Sequence, residues 1–444
     1  MTRIERCKLG LCGLLMVVGN ALWAQTSIPD ELDLNTALQF ALQHNFAIQQ
    51  AQERIAKQQD FLVQVRSVVL PQVALDYNYT LVDRDRLEDF GGTSFGSDQA
   101  WSVNLELTQR IYAGSRGLTR LGEEKLRLKA AELEMQAIIQ GEMLRVRSHF
   151  YDLLLAREQI KVQQQSLSLL EEQLSTIQDR YDAGAVPRFD LIRAQVALAN
   201  GRPPLIRAKN RYRIAWEELR EVLGAPSDPT DDLNQVPLIA GDLQYQPEPY
   251  LLLDALAQAR INRPEIQGYV LLIEAAEKAV KAEKGLYAPD LELVLGYQVS
   301  KSNFSSQIDA TIDGWAVGLQ GNWSIFDSGA IRAQVAQAKS DLRQVKLSER
   351  EVMLQIDVEV RRAYSRWLEA EELVKASEFV VEQAEESLRL ATERYAVGSA
   401  THLDVLAAQV DLTQARTNQV EAVHGHKVAV AALRRAMGIS VYFQ

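Results

Sequence analysis

The chain has 444 residues, of which 47% are hydrophobic and 24% charged, and its formal net charge is −11. The acidic balance argues against a nucleic-acid partner, which would favour a basic surface. The apolar content argues against intrinsic disorder, and 12 prolines and 24 glycines are too few for a low-complexity or collagen-like chain.

Residues 1–24 have the features of a secretory signal peptide. Basic residues precede an apolar run at 9–18, which is too short to span a bilayer as a helix. Both cysteines, Cys7 and Cys12, lie in this segment, so its removal would leave a mature chain without a thiol. The alternative is a retained amphipathic N-terminal helix. No later segment approaches 18 consecutive apolar residues, so the sequence predicts no transmembrane helix.

The mature chain begins with a helical pattern at about 36–69, followed by two predicted strands at about 73–81 and 101–110. In both strands apolar side chains alternate with polar ones, which is typical of a strand with two different faces. Runs of about 8–11 residues suit a tilted strand that crosses a bilayer, and aromatic residues near their ends suit a membrane interface. The alternative is a pair of soluble hairpins packed on a core.

A long helix is predicted over 115–181, because this segment has no proline and its apolar residues recur at helical spacing. It would be about 100 Å long at roughly 1.5 Å per residue. An Arg-Tyr-x-x-Gly turn follows, where glycine suits a left-handed helix end. A return helix at 189–223 completes the hairpin, and Pro203-Pro204 is expected to break or kink it.

The second half of the chain repeats this order after a linker at 225–249. Arg180-Tyr181-Asp182-Ala183-Gly184 recurs as Arg394-Tyr395-Ala396-Val397-Gly398, and eight of 19 positions are identical between 180–198 and 394–412. The chain is therefore a tandem duplication, with a first repeat at 25–224 and a second at 250–438. The predicted elements of the second repeat are a helix at 251–286, strands at 291–299 and 315–325, a long helix at 329–395 and a return helix at 403–437, before a tail at 439–444.

Four strands cannot close a transmembrane barrel, and open strand edges are not tolerated in lipid. The chain is therefore expected to oligomerise, each copy giving four strands. Helices of about 100 Å cannot lie within a bilayer of about 30 Å and must project from it. Coiled-coil-like seams would let them pack side by side into a tube. The predicted fold class is mainly α with a small β-barrel part, built from duplicated helical hairpins and four transmembrane strands per protomer.

The duplicated order of helix, two strands, long helix, Arg-Tyr-x-x-Gly turn and return helix closing at Leu-Gly resembles the TolC-like outer-membrane efflux proteins, or outer membrane factors. The resemblance covers about 32–438. It implies a homotrimer in the outer membrane of a Gram-negative type cell, with a 12-stranded β-barrel continued by a periplasmic α-helical barrel. It also implies a periplasmic adaptor (membrane fusion) protein, an inner-membrane pump, and a passive gated duct for efflux or type I secretion of small molecules or proteins.

The resemblance places a periplasmic gate at the two turns. Asp404 would belong to a ring of three carboxylates, and the Arg-Tyr pairs would lock the closed mouth. The alternatives are that Asp190 and Asp404 only bind turn amides, and that the arginines only cap helix ends. Ala407 occupies the position at which well-known members carry a further Asp. A second ring of carboxylates at the mouth is therefore doubtful for this sequence. The candidate gate residues are Arg180, Tyr181, Asp190, Arg394, Tyr395 and Asp404.

Small residues at the two turn apices resemble the tips that adaptor hairpins contact, because small side chains let two backbones approach closely. They are Gly184, Ala185, Val186, Gly398, Ser399 and Ala400.

Catalytic, metal and cofactor sites are not predicted. The five histidines lack ligand spacing, and the sequence has no Ser-His-Asp arrangement or glycine-rich phosphate loop. Two other functional classes stay open. One is a periplasmic coiled-coil scaffold or tether without a pore, and the other is a secreted enzyme.

Overall fold

The computed structural model describes residues 28–29, 31–83, 99–226, 236–301 and 311–439. The predicted signal peptide and almost all of the C-terminal tail lie outside the described residues. Within these ranges no helix is both long enough and apolar enough to cross a membrane. The chain divides into two compact units.

The fold is mainly helical with a small antiparallel sheet, which confirms the predicted fold class. In chain order the elements are β1 (Glu31–Leu32), α1 (Leu34–His44), α2 (Phe46–Ser67), β2 (Gln72–Leu81), β3 (Gln99–Ala113), α3 (Arg116–Asp182), α4 (Arg188–Leu223), β4 (Leu238–Ile239), α5 (Leu252–Asn262), α6 (Pro264–Lys284), β5 (Asp290–Lys301), β6 (Ile312–Asn322), α7 (Ala330–Ala396) and α8 (His402–Ala436).

The first unit comprises the chain up to Phe46 with Glu142–Pro247 and Trp367–Ala431. Its helices pack in a row in which α8 contacts both α7 and α3. Arg416 on α8 donates to Glu385 on α7 at 2.8 Å, and Gln409 on α8 donates to the Ser166 carbonyl on α3 at 3.1 Å. Buried aliphatic and aromatic side chains fill the space between the helices. They include Phe150, Leu153, Leu154, Leu219 and Val374.

The linker between the repeats is fastened to the first unit by hydrogen bonds. β4 pairs in parallel with β1. Arg157 on α3 donates to the carbonyls of Ile239 and Gly241, at 2.7 and 2.6 Å. The Tyr245 hydroxyl donates to Glu371 on α7 at 2.6 Å, and burial together with this carboxylate raises the pKa of Tyr245 to about 12.

The second unit comprises Ala47–Gly141, Glu248–Arg366 and the chain from Ala432. It contains an antiparallel sheet in the order β2-β3-β5-β6, so β2 and β6 are its edges. The register aligns Leu75 with Leu105, and Leu105 with Tyr297. On the other face Asn104 aligns with Asp76 and Gln298. One face of the sheet is therefore apolar and the other polar.

The helices expected at 36–69 and 251–286 are each split in two, so the expectation of single helices was wrong. Asn45 and Arg263 adopt extended backbone conformations and end α1 and α5. Arg263 precedes Pro264, which disfavours a helical conformation for the residue before it. Both residues occupy equivalent places in the two repeats, and both face the end of a return helix.

Pro203-Pro204 were expected to break or kink the first return helix, but α4 is continuous through both prolines and is not broken. A proline in a helix leaves the carbonyl four residues earlier without a partner. Here those carbonyls belong to Ala199 and Asn200, which are exposed. Water can bond them there, so the helix continues.

Candidate functional site

Both long helices end in the same hydrogen-bonded turn. At the first, Gly184 has φ +74°, its N–H donates to the Tyr181 carbonyl at 2.8 Å, and Ala185 donates to the Arg180 carbonyl at 2.8 Å. At the second, Gly398 has φ +78° and donates to Tyr395 at 3.1 Å. This is the Schellman arrangement. It explains the recurrence of the motif, because the glycine supplies the left-handed residue in each copy.

Both apices are open to solvent. A Cβ atom added at Gly184 or at Gly398 would meet no heavy atom within 4 Å. The glycines are thus required by their positive φ and not by crowding within the protomer. The neighbouring Ala185 and Ser399 are exposed.

Asp404 forms a capping box with Thr401 at the start of α8. Its Oδ2 accepts from the Thr401 N–H and from the Thr401 hydroxyl, both at 2.8 Å. These bonds, with a smaller effect of Arg394, lower the pKa of Asp404, so the exposed carboxylate is charged at neutral pH. The bonds are those of the capping alternative, and they leave the second carboxylate oxygen for other contacts.

The equivalent cap is absent from the first turn. Pro187 is the N-cap of α4 and makes no side-chain capping bond. A proline has no N–H, so Asp190 cannot repeat the reciprocal bond that Asp404 makes. The two predicted gate aspartates therefore differ in their local bonding.

The two turns meet through aromatic and cationic side chains. The Arg180 guanidinium lies 5.1 Å from the centre of the Tyr395 ring, a cation–π distance. The Tyr395 ring centre lies 5.8 Å from that of His402. His402 is 4% exposed, and neither its ring nitrogens nor the Tyr395 hydroxyl has a hydrogen-bond partner among the described residues.

The two Arg-Tyr pairs have different environments. Tyr181 packs on a small apolar cluster formed by Ile177, Leu191 and Ala194, inside the first hairpin. Arg394 is exposed and its guanidinium lies 3.4 Å from the Ser399 carbonyl, within its own turn. Of the six predicted gate residues, Arg180 and Tyr395 are therefore the pair that joins the hairpins.

His402 was missed by the sequence analysis. Burial lowers its pKa, Asp190 acts to raise it, and Arg193 acts to lower it further. Thr401-His402 occupies the position of Pro187-Arg188 in the first repeat. This difference between two otherwise similar turns is the sequence feature that could have identified His402. In the part of the chain that the structure describes, no group of three metal-ligating residues could hold a metal ion.

The chain matches the family model described as outer membrane efflux protein over residues 37–225 and 255–439. The outer membrane efflux protein BepC of Brucella suis is 23% identical, over 98% of this chain and 91% of its own length. The outer membrane protein TolC of Escherichia coli is 24% identical, over 84% of this chain and 76% of its own length.

Solved structures have the same fold. The outer membrane protein VceC of Vibrio cholerae superposes with a TM-score of 0.73 at 20% identity, covering 91% of this chain and 96% of its own. The MtrE outer membrane channel of Neisseria gonorrhoeae gives a TM-score of 0.75 at 18% identity, covering 91% and 88%.

Proposed function

Because the chain belongs to the outer membrane efflux protein family, we propose that it is the outer-membrane channel of a tripartite efflux or type I secretion system. It is a passive gated duct that carries small molecules or proteins to the exterior. Transport of this kind needs a wall, a gate and a docking surface. It needs no bond-making step, so the protein is not an enzyme.

The observation that carries this proposal is the open, two-faced sheet. Its edges β2 and β6 have no partner strand in the described protomer. Unpaired strand edges are costly in lipid, so copies must pair β2 of one with β6 of the next until the sheet closes. Three copies would give a 12-stranded barrel, with apolar side chains toward lipid and polar side chains toward the passage.

The aromatic side chains of the sheet support a membrane position. Tyr79 and Trp101 are paired near the loop end, and Tyr112 lies near the helix end of β3. Trp101 and Tyr112 are about 11 residues apart, or roughly 36 Å at about 3.3 Å per residue. A strand tilt of about 45° converts this into about 25 Å of bilayer, the height of an outer-membrane apolar band.

The gate is formed by the two turns. Asp404, charged at neutral pH, contributes one carboxylate per copy to a ring at the periplasmic mouth and favours cations there. The Arg180–Tyr395 contact holds the second hairpin against the first and keeps the mouth narrow. Arg394 helps to keep the Asp404 carboxylate charged. Tyr181 packs in the apolar cluster of the first hairpin, and Asp190 acts on the buried His402.

The partners are two further copies, outer-membrane lipid, and a periplasmic adaptor that links the duct to an inner-membrane pump. The adaptor contacts the open apices at Gly184, Ala185, Val186, Gly398, Ser399 and Ala400.

Ala185→Trp should abolish export of a pump substrate, while Gly184→Asn should retain it because Asn tolerates the left-handed conformation. Export that survives Ala185→Trp would place the adaptor elsewhere.

Two measurements test the channel itself. Native mass spectrometry in detergent should give a trimer, and planar bilayers containing the protein should show discrete conductance steps. Release from washed outer membranes without detergent, together with absence of conductance, would favour the periplasmic scaffold.

A further inference from the structure

A groove in the second unit is lined by four helices and has a volume of about 510 Å³. Small-molecule sites in proteins have volumes of about 300–1,000 Å³. The order of the helices is α2, α3, α6, α7, because hydrogen bonds join each helix to the next. The bonded pairs are Gln58–Glu124, Arg120–Glu283 and Glu277–Lys346. The outer members of this row are therefore α2 and α7.

The groove lies on the concave side of the row. Phe61 and Val65 on α2 line it, and so does Asp341 on α7, although these two helices stand at opposite ends. In a flat row the outer axes would lie about 24–30 Å apart, at roughly 8–10 Å for each neighbouring pair. A groove of this volume would not reach both. The row is therefore curved, and the groove occupies its inner side.

Equivalent residues of the two repeats line the groove together. Glu123 and Glu124 on α3 line it, and so do Gln337 and Ala338, which occupy the equivalent positions on α7. Both repeats therefore turn the same helix face toward the groove. When copies close around an axis along the helices, the concave side of each row faces that axis. In a tube built from such copies, the groove would lie on the wall of the passage.

The first repeat supplies buried negative charge. Glu123 and Glu124 are each 9% exposed. Arg127 pairs with Glu123 at 2.8 Å. The Glu124 Oε2 accepts from Gln58, whereas its Oε1 accepts no hydrogen bond from any described residue and lies 3.6 Å from the Arg127 Nε. One guanidinium thus serves two carboxylates, and one oxygen of Glu124 is left for a further contact.

The groove as a whole is acidic. Its lining contains four carboxylates and two guanidinium groups. Arg120 is occupied by Glu283 at 2.9 Å. Asp341 is exposed and forms no ion pair with the part of the chain that the structure describes. A net negative charge therefore remains, centred on Glu124 and Asp341.

The Glu124 carboxylate is charged at a cost. Burial raises the pKa of Glu124, and the like charge of Glu123 adds to this shift, whereas Arg127 and Gln58 oppose it. A cation held beside this carboxylate would favour its charged form and offset the effect of burial.

The wall beside these carboxylates is apolar. It is formed by Phe61 and Val65 on α2 and by Ala276 and Ala279 on α6. Phe61 is 44% exposed, so its ring is accessible from the groove. The face of an aromatic ring attracts organic cations, and alanine side chains leave room for a bulky ligand.

We propose that this groove binds amphiphilic organic cations as they pass along the duct. The inference rests on the proposed function, which makes the concave side of the row the wall of the passage. The positive group of the ligand would lie against Glu124 and Asp341, and its apolar body against Phe61 and Val65. Rotational symmetry would place one such groove per copy at the same level of the duct.

Dye binding to the assembled protein tests the site. The protein is placed in phosphatidylcholine nanodiscs, and binding of the cationic dye rhodamine 6G is followed by fluorescence anisotropy, with empty nanodiscs as the blank. Fluorescein, an anionic dye with the same type of ring system, should not bind. Glu124→Gln combined with Asp341→Asn should weaken rhodamine 6G binding about tenfold, because two charges that face the cation are lost.

Two further variants separate the groove from a general effect of charge. Gln337→Glu adds a carboxylate at the position equivalent to Glu123 without a change of size, and should strengthen rhodamine 6G binding about threefold. Glu132→Gln is the matched control, because Glu132 is exposed on α3 and does not line the groove. It should leave the affinity unchanged.

The outcomes separate the groove from the proposed function. Wild-type protein that stays monomeric and gives no conductance in planar bilayers would overturn both. A conducting trimer that binds the two dyes equally, or that keeps its affinity for rhodamine 6G in the double variant, would overturn the groove alone. An equal loss of affinity in Glu132→Gln would also overturn it, because the binding would then follow the net charge of the protein.

Discussion

His402 is the buried titratable residue of the tip. Its imidazole lies against Tyr395, whose ring also contacts the Arg180 guanidinium, and the charged groups that influence the His402 pKa are Asp190 and Arg193 on α4. The His402 pKa is lowered, so the packed tip binds a proton less readily than an opened tip does. The contribution of His402 to the stability of the tip is therefore constant above about pH 6.5 and falls as the pH drops below that value.

Amide hydrogen exchange at residues 396–404 checks this expectation. After correction for intrinsic rates, exchange should accelerate by up to about tenfold per pH unit below about pH 6.5. His402→Phe should remove the acceleration, while His44→Gln in the same unit should keep it. An acceleration that persists in His402→Phe would assign the effect to another group.

Asp404 combines a capping bond with an exposed charge. Asp404→Asn retains an oxygen that can accept from Thr401, whereas Asp404→Ala retains neither the charge nor the cap. If the carboxylate forms a ring at the mouth, both variants should lose cation selectivity in planar bilayers to a similar extent. Thr401→Val removes the hydroxyl of the cap and should leave selectivity unchanged. Selectivity that is normal in both Asp404 variants would limit the residue to capping.

At the scale of elements, the C-terminal end of each return helix is capped by the side chain of one buried polar residue. Asn45 donates to the Val222 carbonyl at 2.7 Å, and Arg263 donates to the Ala436 carbonyl at 3.3 Å. Gly224 and Gly438 follow these helices with positive φ. The two repeats thus use different side chains to pair the free carbonyls at the buried end of the return helix.

Removing these caps should have unequal effects. Asn45→Ala leaves a buried carbonyl unpaired and should cost about 1–3 kcal/mol. Arg263→Ala also removes ion pairs to Glu265 and Glu359, at 2.8 and 3.0 Å, although Arg435 still pairs with both carboxylates, and should cost about 2–4 kcal/mol. Thermal unfolding followed by far-UV circular dichroism in detergent measures both. Asn210→Ala on the exposed face of α4 is the control, and equal midpoints for all three variants would contradict the capping role.

At the scale of the whole molecule, the sheet determines whether the chain enters lipid. Leu105 lies on the apolar face between Leu75 and Tyr297, and its neighbour Asn104 lies on the polar face. Leu105→Arg should destabilise the folded state in a bilayer by about 2–4 kcal/mol, while Asn104→Arg should be tolerated. Urea unfolding in lipid vesicles compares the two variants. A similar loss from both would mean that the apolar face does not contact lipid.

The local elements were predictable from the sequence because their causes lie within a few residues. Period-two polarity specified all four strands, and the left-handed glycine with its Schellman bonds specified both turns. The duplication, visible as the repeated Arg-Tyr-x-x-Gly motif, specified that the elements come in two sets. The family could be identified from this order alone, without any structural contact.

Partnerships between distant residues were decided only by the tertiary structure. The two copies of the Arg-Tyr motif place their tyrosines differently. Tyr181 packs in an apolar cluster and Tyr395 packs against the Arg180 guanidinium, because the side chains beside the two turns differ. α4 continues through Pro203 and Pro204 because Ala199 and Asn200, whose carbonyls lose their helical partners, are exposed, and α1 ends at Asn45 because that side chain donates to the Val222 carbonyl. The order of apolar and polar residues in the sequence shows which face of a helix or strand is apolar. It does not report what covers that face, since this depends on residues far along the chain.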